Sequence, residues 1–159
     1  MDSVIELRAV DYGHPDAVAL VARVQEEYVE RYGSPDESPV EPEMFDPPEG
    51  LFLVAYVDGT PVGTGAWKRS AVRELGGTVG AEIKRMYVVP EQRGRGLSRR
   101  ILTELEETAA AAGYDLLVLE TGLKQPEAIG LYESAGYVLV PGFGHYCGSE
   151  LSRCFGKRV

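Results

Sequence analysis

Apolar residues alternate from Val4 to Val10, then recur at helical spacing through Val18, Val21, Val24 and Tyr28. The first run predicts a strand, and the second a helix that opens at Pro15 and ends near Gly33. Leu51–Val57 and Pro61–Trp67 flank Asp58-Gly59, a hairpin turn signal. Ala81 to Val89 reads as a further strand, stopped by Pro90. A second helical stripe begins with Leu97, Ile101, Leu102 and Leu105 and runs through alanines to Gly113, a natural residue just past a helix end. Leu116–Glu120 is a short apolar run of the kind found in central parallel strands. Pro126 opens a third helix, carrying Ala128, Ile129, Leu131, Tyr132 and Ala135, and Gly136 closes it. Two last strands are expected near Tyr137–Val140 and Leu151–Lys157. The order β-α-β-β-β-α-β-α-β-β predicts an α/β fold, a mixed central sheet of about seven strands with helices on both faces.

Length and composition narrow this picture only a little. The 159 residues are expected to form one domain spanning 1–159, large enough to bury a core without staples. No internal repeat and no apolar run of membrane-spanning length occurs, and Met1-Asp2-Ser3 leads straight into strand-like Val4-Ile5-Glu6-Leu7. No membrane partner and no signal peptide are therefore expected. Cys147 and Cys154 lack metal-ligand spacing and read as reduced thiols in a cytoplasmic protein, with no metal. The formal charge of −9 argues against nucleic acid and favours a cationic small molecule. One segment stands apart. Residues 34–50 hold five prolines, six carboxylates and no basic residue, so a loop is expected, with one short helical turn around Met44-Phe45.

Where charge runs against the acidic background, chemistry is expected. After the strand ending at Val89 come Arg93, Gly94, Arg95 and Gly96, then the helix from Leu97, with Arg99 and Arg100 in its first turn. Strand, glycine turn and helix start together present free backbone N–H groups to an anion, and the helix dipole adds favourable charge. A Walker-type loop needs Lys-Ser/Thr after the last glycine, where Leu97-Ser98 stands. A dinucleotide-binding turn needs a third glycine where Arg99 stands, and a strand more apolar than one carrying Glu82, Lys84 and Arg85.

Arg93-Gly94-Arg95-Gly96-Leu97-Ser98 instead resembles the Arg/Gln-x-x-Gly-x-Gly/Ala signature of the GNAT superfamily of N-acetyltransferases, with Ser98 replacing the last small residue. Gln125 to Tyr137 resembles that superfamily's Asn-x-x-Ala-x-x-Leu-Tyr-x-x-x-Gly-Phe block, with Gln125 for Asn and Tyr137 for Phe. The element order is similar over roughly the whole chain. The resemblance implies an acetyl-CoA-dependent N-acetyltransferase acting on a small-molecule or peptide amine by direct transfer in a ternary complex. It leaves a homodimer open. It also implies that turn 93–98 and Arg99 hold the pyrophosphate. Met86, Tyr87 and Val88 would bind the pantetheine arm as an added strand between splayed parallel strands, and Gln125 would bond its amide. Ile83 and Val88 would point the same way only with a bulge near Arg85-Met86.

For the proton steps, Glu82 is the first candidate general base, since some members place such a Glu at the start of this strand; the alternative is a strand-face Glu paired with Lys84 or an arginine. Glu120 is its rival. Tyr132 matches the tyrosine that protonates the leaving thiolate; the alternative is a core tyrosine. His145, in Gly142-Phe143-Gly144-His145-Tyr146, either touches substrate or is a solvated loop residue, and His14 only precedes the first helix. By the same resemblance, the acidic loop 34–50 occupies the place where superfamily members build the acceptor wall, where it either attracts a cation or is merely solvated. A CoA-binding regulatory module without turnover is the alternative function, and the joint presence of Glu82 and Tyr132 argues against it.

Overall fold

A computed structural model describes residues 3–159. Seven strands form one sheet in the order β1-β2-β3-β4-β5-β7-β6, namely β1 Ile5–Ala9, β2 Gly50–Val57, β3 Thr60–Ser70, β4 Gly80–Val88, β5 Leu116–Gly122, β6 Val138–Leu139 and β7 Ser152–Arg158. Three helices accompany them: α1 Pro15–Tyr32, α2 Leu97–Ala111 and α3 Pro126–Ser134. Only β4 and β5 pair in parallel; every other neighbouring pair is antiparallel. The mixed α/β sheet read from the sequence is therefore present, element by element.

Local chemistry explains the boundaries. Pro15 takes the first turn of α1, and His14 does more than precede it: its Nδ1 accepts a hydrogen bond from the Asp16 N–H at 3.1 Å. Gly33 ends α1 at φ +84°. Pro42–Phe45 forms a short 3-10 helix, the turn expected in the acidic segment. Buried Phe45 stacks on Tyr12 and meets Phe52 edge to face, which roots that segment in the core. Cross-strand pairing puts Phe52 and Ala66 on one sheet face, Leu51 and Trp67 on the other. The second face receives α2: Trp67 Nε1 donates to Thr108 Oγ1, and a Cβ at Gly65 would strike Ile101. Glycine is required there because helix and strand touch.

The last strands are shorter than expected at one edge. β6 holds only Val138 and Leu139, both exposed, because Tyr137 turns inward with its N–H on Tyr132 O and its hydroxyl on Glu106. No helix of the described residues is long and apolar enough to cross a membrane.

Candidate active site

β4 and β5 pair only at Gly80–Leu116, Ala81–Leu117 and Glu82–Val118, although β4 runs on to Val88 and β5 to Gly122. Beyond Glu82 the two strands part. Arg85 takes φ +57°, and the β3 register shifts between Thr64–Tyr87 and Ala66–Lys84, so a bulge lies at Arg85-Met86. Thr64 Oγ1 secures it by donating to Arg85 O at 2.6 Å. The bulge reverses the side-chain alternation, and Ile83 and Val88 are both buried. Between the parted strands opens a cleft of about 580 Å³, lined by β4 from Ile83 to Val88, β5 from Leu119 to Gly122, and residues of α1, α2 and α3. Backbone groups along this fork have lost their strand partners, and a bound extended chain would satisfy them.

At one end of the cleft stands the N-terminus of α2. Gly94 and Gly96 sit at φ +84° and +77°, and Gly96 caps the helix with no side-chain hydrogen bond. No backbone N–H from Gly94 to Arg99 has a protein acceptor among the described residues. The arginines behave less uniformly than their charge suggests. Arg93 braces the strand end, its Nε donating to Val88 O at 2.8 Å and its Nη2 to Glu27 Oε1 at 2.8 Å. Arg99 reaches Ser134 Oγ while still lining the cleft; Arg95 is exposed and outside the lining. The candidate anion ligands are thus chiefly backbone N–H groups, with Arg93, Gly94, Gly96, Leu97 and Ser98 in the cleft wall.

Further along lie Tyr132, Gln125 and Tyr28, all in the lining. Tyr132 is 5% exposed, its ring edge-on to Tyr137, and burial pushes its hydroxyl pKa well up, with Tyr28 adding to the effect. It stays a proton donor at any working pH. Gln125 begins α3 and accepts from Thr121 Oγ1 at 3.4 Å. Tyr28 had been counted only as part of an apolar stripe. Burial, with Asp36 adding to it, pushes its pKa up to about 12.

The two carboxylate candidates have separated. Glu82 is held between Lys68 at 3.5 Å and Lys84 at 3.6 Å and does not line the cleft, as in the ion-paired alternative. Glu120, one strand over, does line it, and its Oε2 is buried without a hydrogen-bond partner. Burial pushes the Glu120 pKa up and the Glu82 carboxylate adds to it; the Lys84 ammonium and, more weakly, the nearby Tyr146 N–H and Ser152 hydroxyl, which fall short of hydrogen-bond geometry, work against that. Lys84 also donates to Ser38 Oγ at 2.9 Å.

Of the six carboxylates in segment 34–50, only Asp36 lines the cleft, and it is paired to Arg85 at 2.7 Å; the other five are exposed. Burial acts to raise the Asp36 pKa, but hydrogen bonds from Ser38 and the charges of Lys84 and Arg85 outweigh it and hold it at about 2. Arg85 and Asp36, an unsuspected pair, therefore carry the acidic loop into the site. No single stretch of sequence announces them, since only the fold joins positions so far apart. His145 is exposed and outside the lining, its ring edge-on to Tyr146, which does line the cleft.

A strand fork beside a glycine-capped helix terminus suits an extended ligand with an anionic end. Residues 19–137 match the model of the Acetyltransferase (GNAT) family, and the chain belongs to that family. It is 43% identical over 105 residues to the IAA acetyltransferase of Azospirillum brasilense, covering 66% of this chain and 65% of that protein. To the N-acetylaspartate synthetase of Homo sapiens it is 32% identical over 111 residues, 70% of this chain and 35% of that one. The matches thus span less than two-thirds of these relatives' own lengths. Among solved structures, one named as an acyl-CoA N-acyltransferase from Klebsiella pneumoniae aligns with a TM-score of 0.76 at 28% identity, over 98% of this chain and 97% of that one. The PaiA N-acetyltransferase of Thermoplasma acidophilum, solved with coenzyme A, shares the fold with a TM-score of 0.71 at 17% identity, over 98% and 99%.

Proposed function

We propose that this protein transfers the acetyl group of acetyl-CoA to a primary amine by direct attack in a ternary complex. The observation that carries this reading is the pairing of two unsatisfied backbone arrays, the N–H groups of Gly94–Arg99 and the fork between β4 and β5. An anion with a long amide-bearing arm matches both, and coenzyme A is such a molecule. When bound, acetyl-CoA supplies an activated thioester acyl group. The N–H groups at 94–99 anchor its pyrophosphate, with Arg99 close by. Main-chain groups of Met86, Tyr87 and Val88 hold the arm, and Gln125 bonds its amide. A main-chain N–H near Val88 polarises the acyl carbonyl.

Glu120 takes the proton of the incoming ammonium, the role first assigned to Glu82. It faces the cleft, carries an unpartnered oxygen and has a pKa above the ordinary carboxylate range, whereas Glu82 is engaged by two lysines. Tyr132 keeps its proton and delivers it toward the departing sulfur. The relatives' names, both of acetyl-transferring or N-acetylating enzymes, support the reaction class. The test is release of thiol from acetyl-CoA with a panel of primary amines, beside calorimetry of coenzyme A. Tight CoA binding with amine-dependent thiol release is expected. Tighter binding of a dinucleotide than of CoA would overturn the reading.

A further inference from the structure

The acceptor end of the cleft is crossed by a bridge that no sequence motif marks. Loop 142–151 lies over Glu120 so closely that a Cβ at Gly144 would stand 3.4 Å from Glu120 Oε2. Two residues on, the Tyr146 hydroxyl reaches the segment after α1. It accepts the Glu37 N–H at 2.7 Å and donates to Asp36 Oδ1 at 3.2 Å. Its far anchor is fixed: Asp36 is bonded to Arg85, to Ser38 and, through its backbone, twice to Gln25. Its near anchor is braced as well, by His145 edge-on to the Tyr146 ring at 4.7 Å and by Cys154 Sγ on Phe143 O at 3.7 Å.

We infer that Tyr146 is a specificity-determining residue, whose hydroxyl latches loop 142–151 to the Asp36 segment and restricts acceptors to small free amines, excluding polypeptide ones. The inference rests on the acetyl-transfer reading above. Its physical basis is space. Hydrogen bonds of 2.7 and 3.2 Å leave no passage between Tyr146 and residues 36–37, whereas a neighbouring extended chain stands about 4.8 Å away even when hydrogen-bonded in a sheet. A polypeptide with its amine at Glu120 and its chain leaving on this side of the cleft meets these closed segments. A small amine needs only the volume beneath them. Asp36 is ionised throughout the working range, so the bond from Tyr146 is charge-assisted and lasting.

Both bonds hang on one oxygen, so Tyr146→Phe removes them and keeps the ring. Hydrogen exchange of the Glu37 amide should then quicken by about tenfold or more, the scale of a lost bond to a charged cluster. In parallel, thiol release is measured with free amino acids, their amides, dipeptides and hexapeptides bearing free N-termini. The wild type should turn over the small members only, and the ratio of hexapeptide to amino-acid kcat/KM should rise by about tenfold or more in Tyr146→Phe. Unchanged Glu37 exchange, or a wild type that acetylates hexapeptides as readily as amino acids, would overturn the latch while leaving acetyl transfer intact. Absence of thiol release with every amine would overturn the acetyl-transfer reading and this inference with it.

Discussion

Tyr132 and Glu120 line the same cleft, and the proposed reaction gives them opposite needs, one to keep a proton and one to take it. Burial raises both pKa values, which serves both needs: the phenol stays protonated and the carboxylate becomes a stronger base. Tyr132→Phe keeps the ring against Tyr137 and removes the donor. Turnover should fall by about 10²-fold with CoA affinity unchanged. Loss of stability with normal turnover per folded molecule would mean that the tyrosine only packs.

For Glu120 the sharper readout is pH. kcat/KM should climb as the pH passes a carboxyl pKa above the ordinary range, and Glu120→Gln should flatten that limb and cost about 10²-fold or more. Glu82→Gln should behave differently. Removing its negative charge, and releasing Lys68 and Lys84 from it, favours ionised Glu120, so the limb should move to lower pH with activity retained. If Glu82→Gln abolishes the limb instead, the base is Glu82 acting through water.

At the scale of elements, α2 is both the scaffold of the sheet's second face and, at its N-terminus, the proposed anion site. Its buried stripe, Leu97, Ile101, Leu102, Leu105 and Ala109, fixes the helix on β3 and β4, so the free N–H groups at 94–99 are held in place before any ligand arrives. Gly96→Asp tests that. Asp tolerates the left-handed conformation better than most residues, and its carboxylate can occupy the free N–H groups itself. Folding stability should fall by about 1–2 kcal/mol, the cost of an L-residue in the left-handed region. CoA affinity measured by calorimetry should drop by about tenfold or more, because the site then holds its own anion. Equal affinity would remove the turn from the binding site.

These elements were legible because period and punctuation agree at each: Pro15, Gly33, Pro90, Gly113, Pro126 and Gly136 all fall at ends that burial patterns also mark. The bulge was legible too, from the parity of Ile83 and Val88. The preference for Glu120 over Glu82 proposed above was not, since it rests on Lys68, a β3 residue that only the fold brings beside Glu82. Nor was the latch, because Tyr146 and Asp36 are 110 residues apart and belong to two loops without periodicity. Arginines clustered at the turn suggested phosphate ligands, but Arg93 was already committed to Val88 O and Glu27.

Across the whole molecule, Asp36 ties more of the chain together than any other carboxylate in the cleft. Through it the segment after α1 reaches β4 by Arg85, loop 142–151 by Tyr146, and α1 by Gln25. Its pKa of about 2 lies below the ordinary value of about 3.9, so the folded state prefers the ionised form. The sign follows from that. This stabilisation is fully present above the unfolded-state pKa and fades as the pH falls through the folded one. Allowing for solvent at its partly exposed edge, it amounts to roughly 1–2 kcal/mol. Asp36→Asn should therefore be destabilised at neutral pH by about 3 kcal/mol, since Arg85 is left buried without its counter-charge. Comparing denaturant unfolding of both proteins from pH 7 down to pH 2 cancels the protonation of every other carboxylate. The gap between them should hold down to about pH 5 and then narrow by roughly 1–2 kcal/mol. A gap that stays constant over the whole range would mean that Asp36 gains nothing from its charge, and that the asparagine loses contacts which a protonated carboxyl still makes.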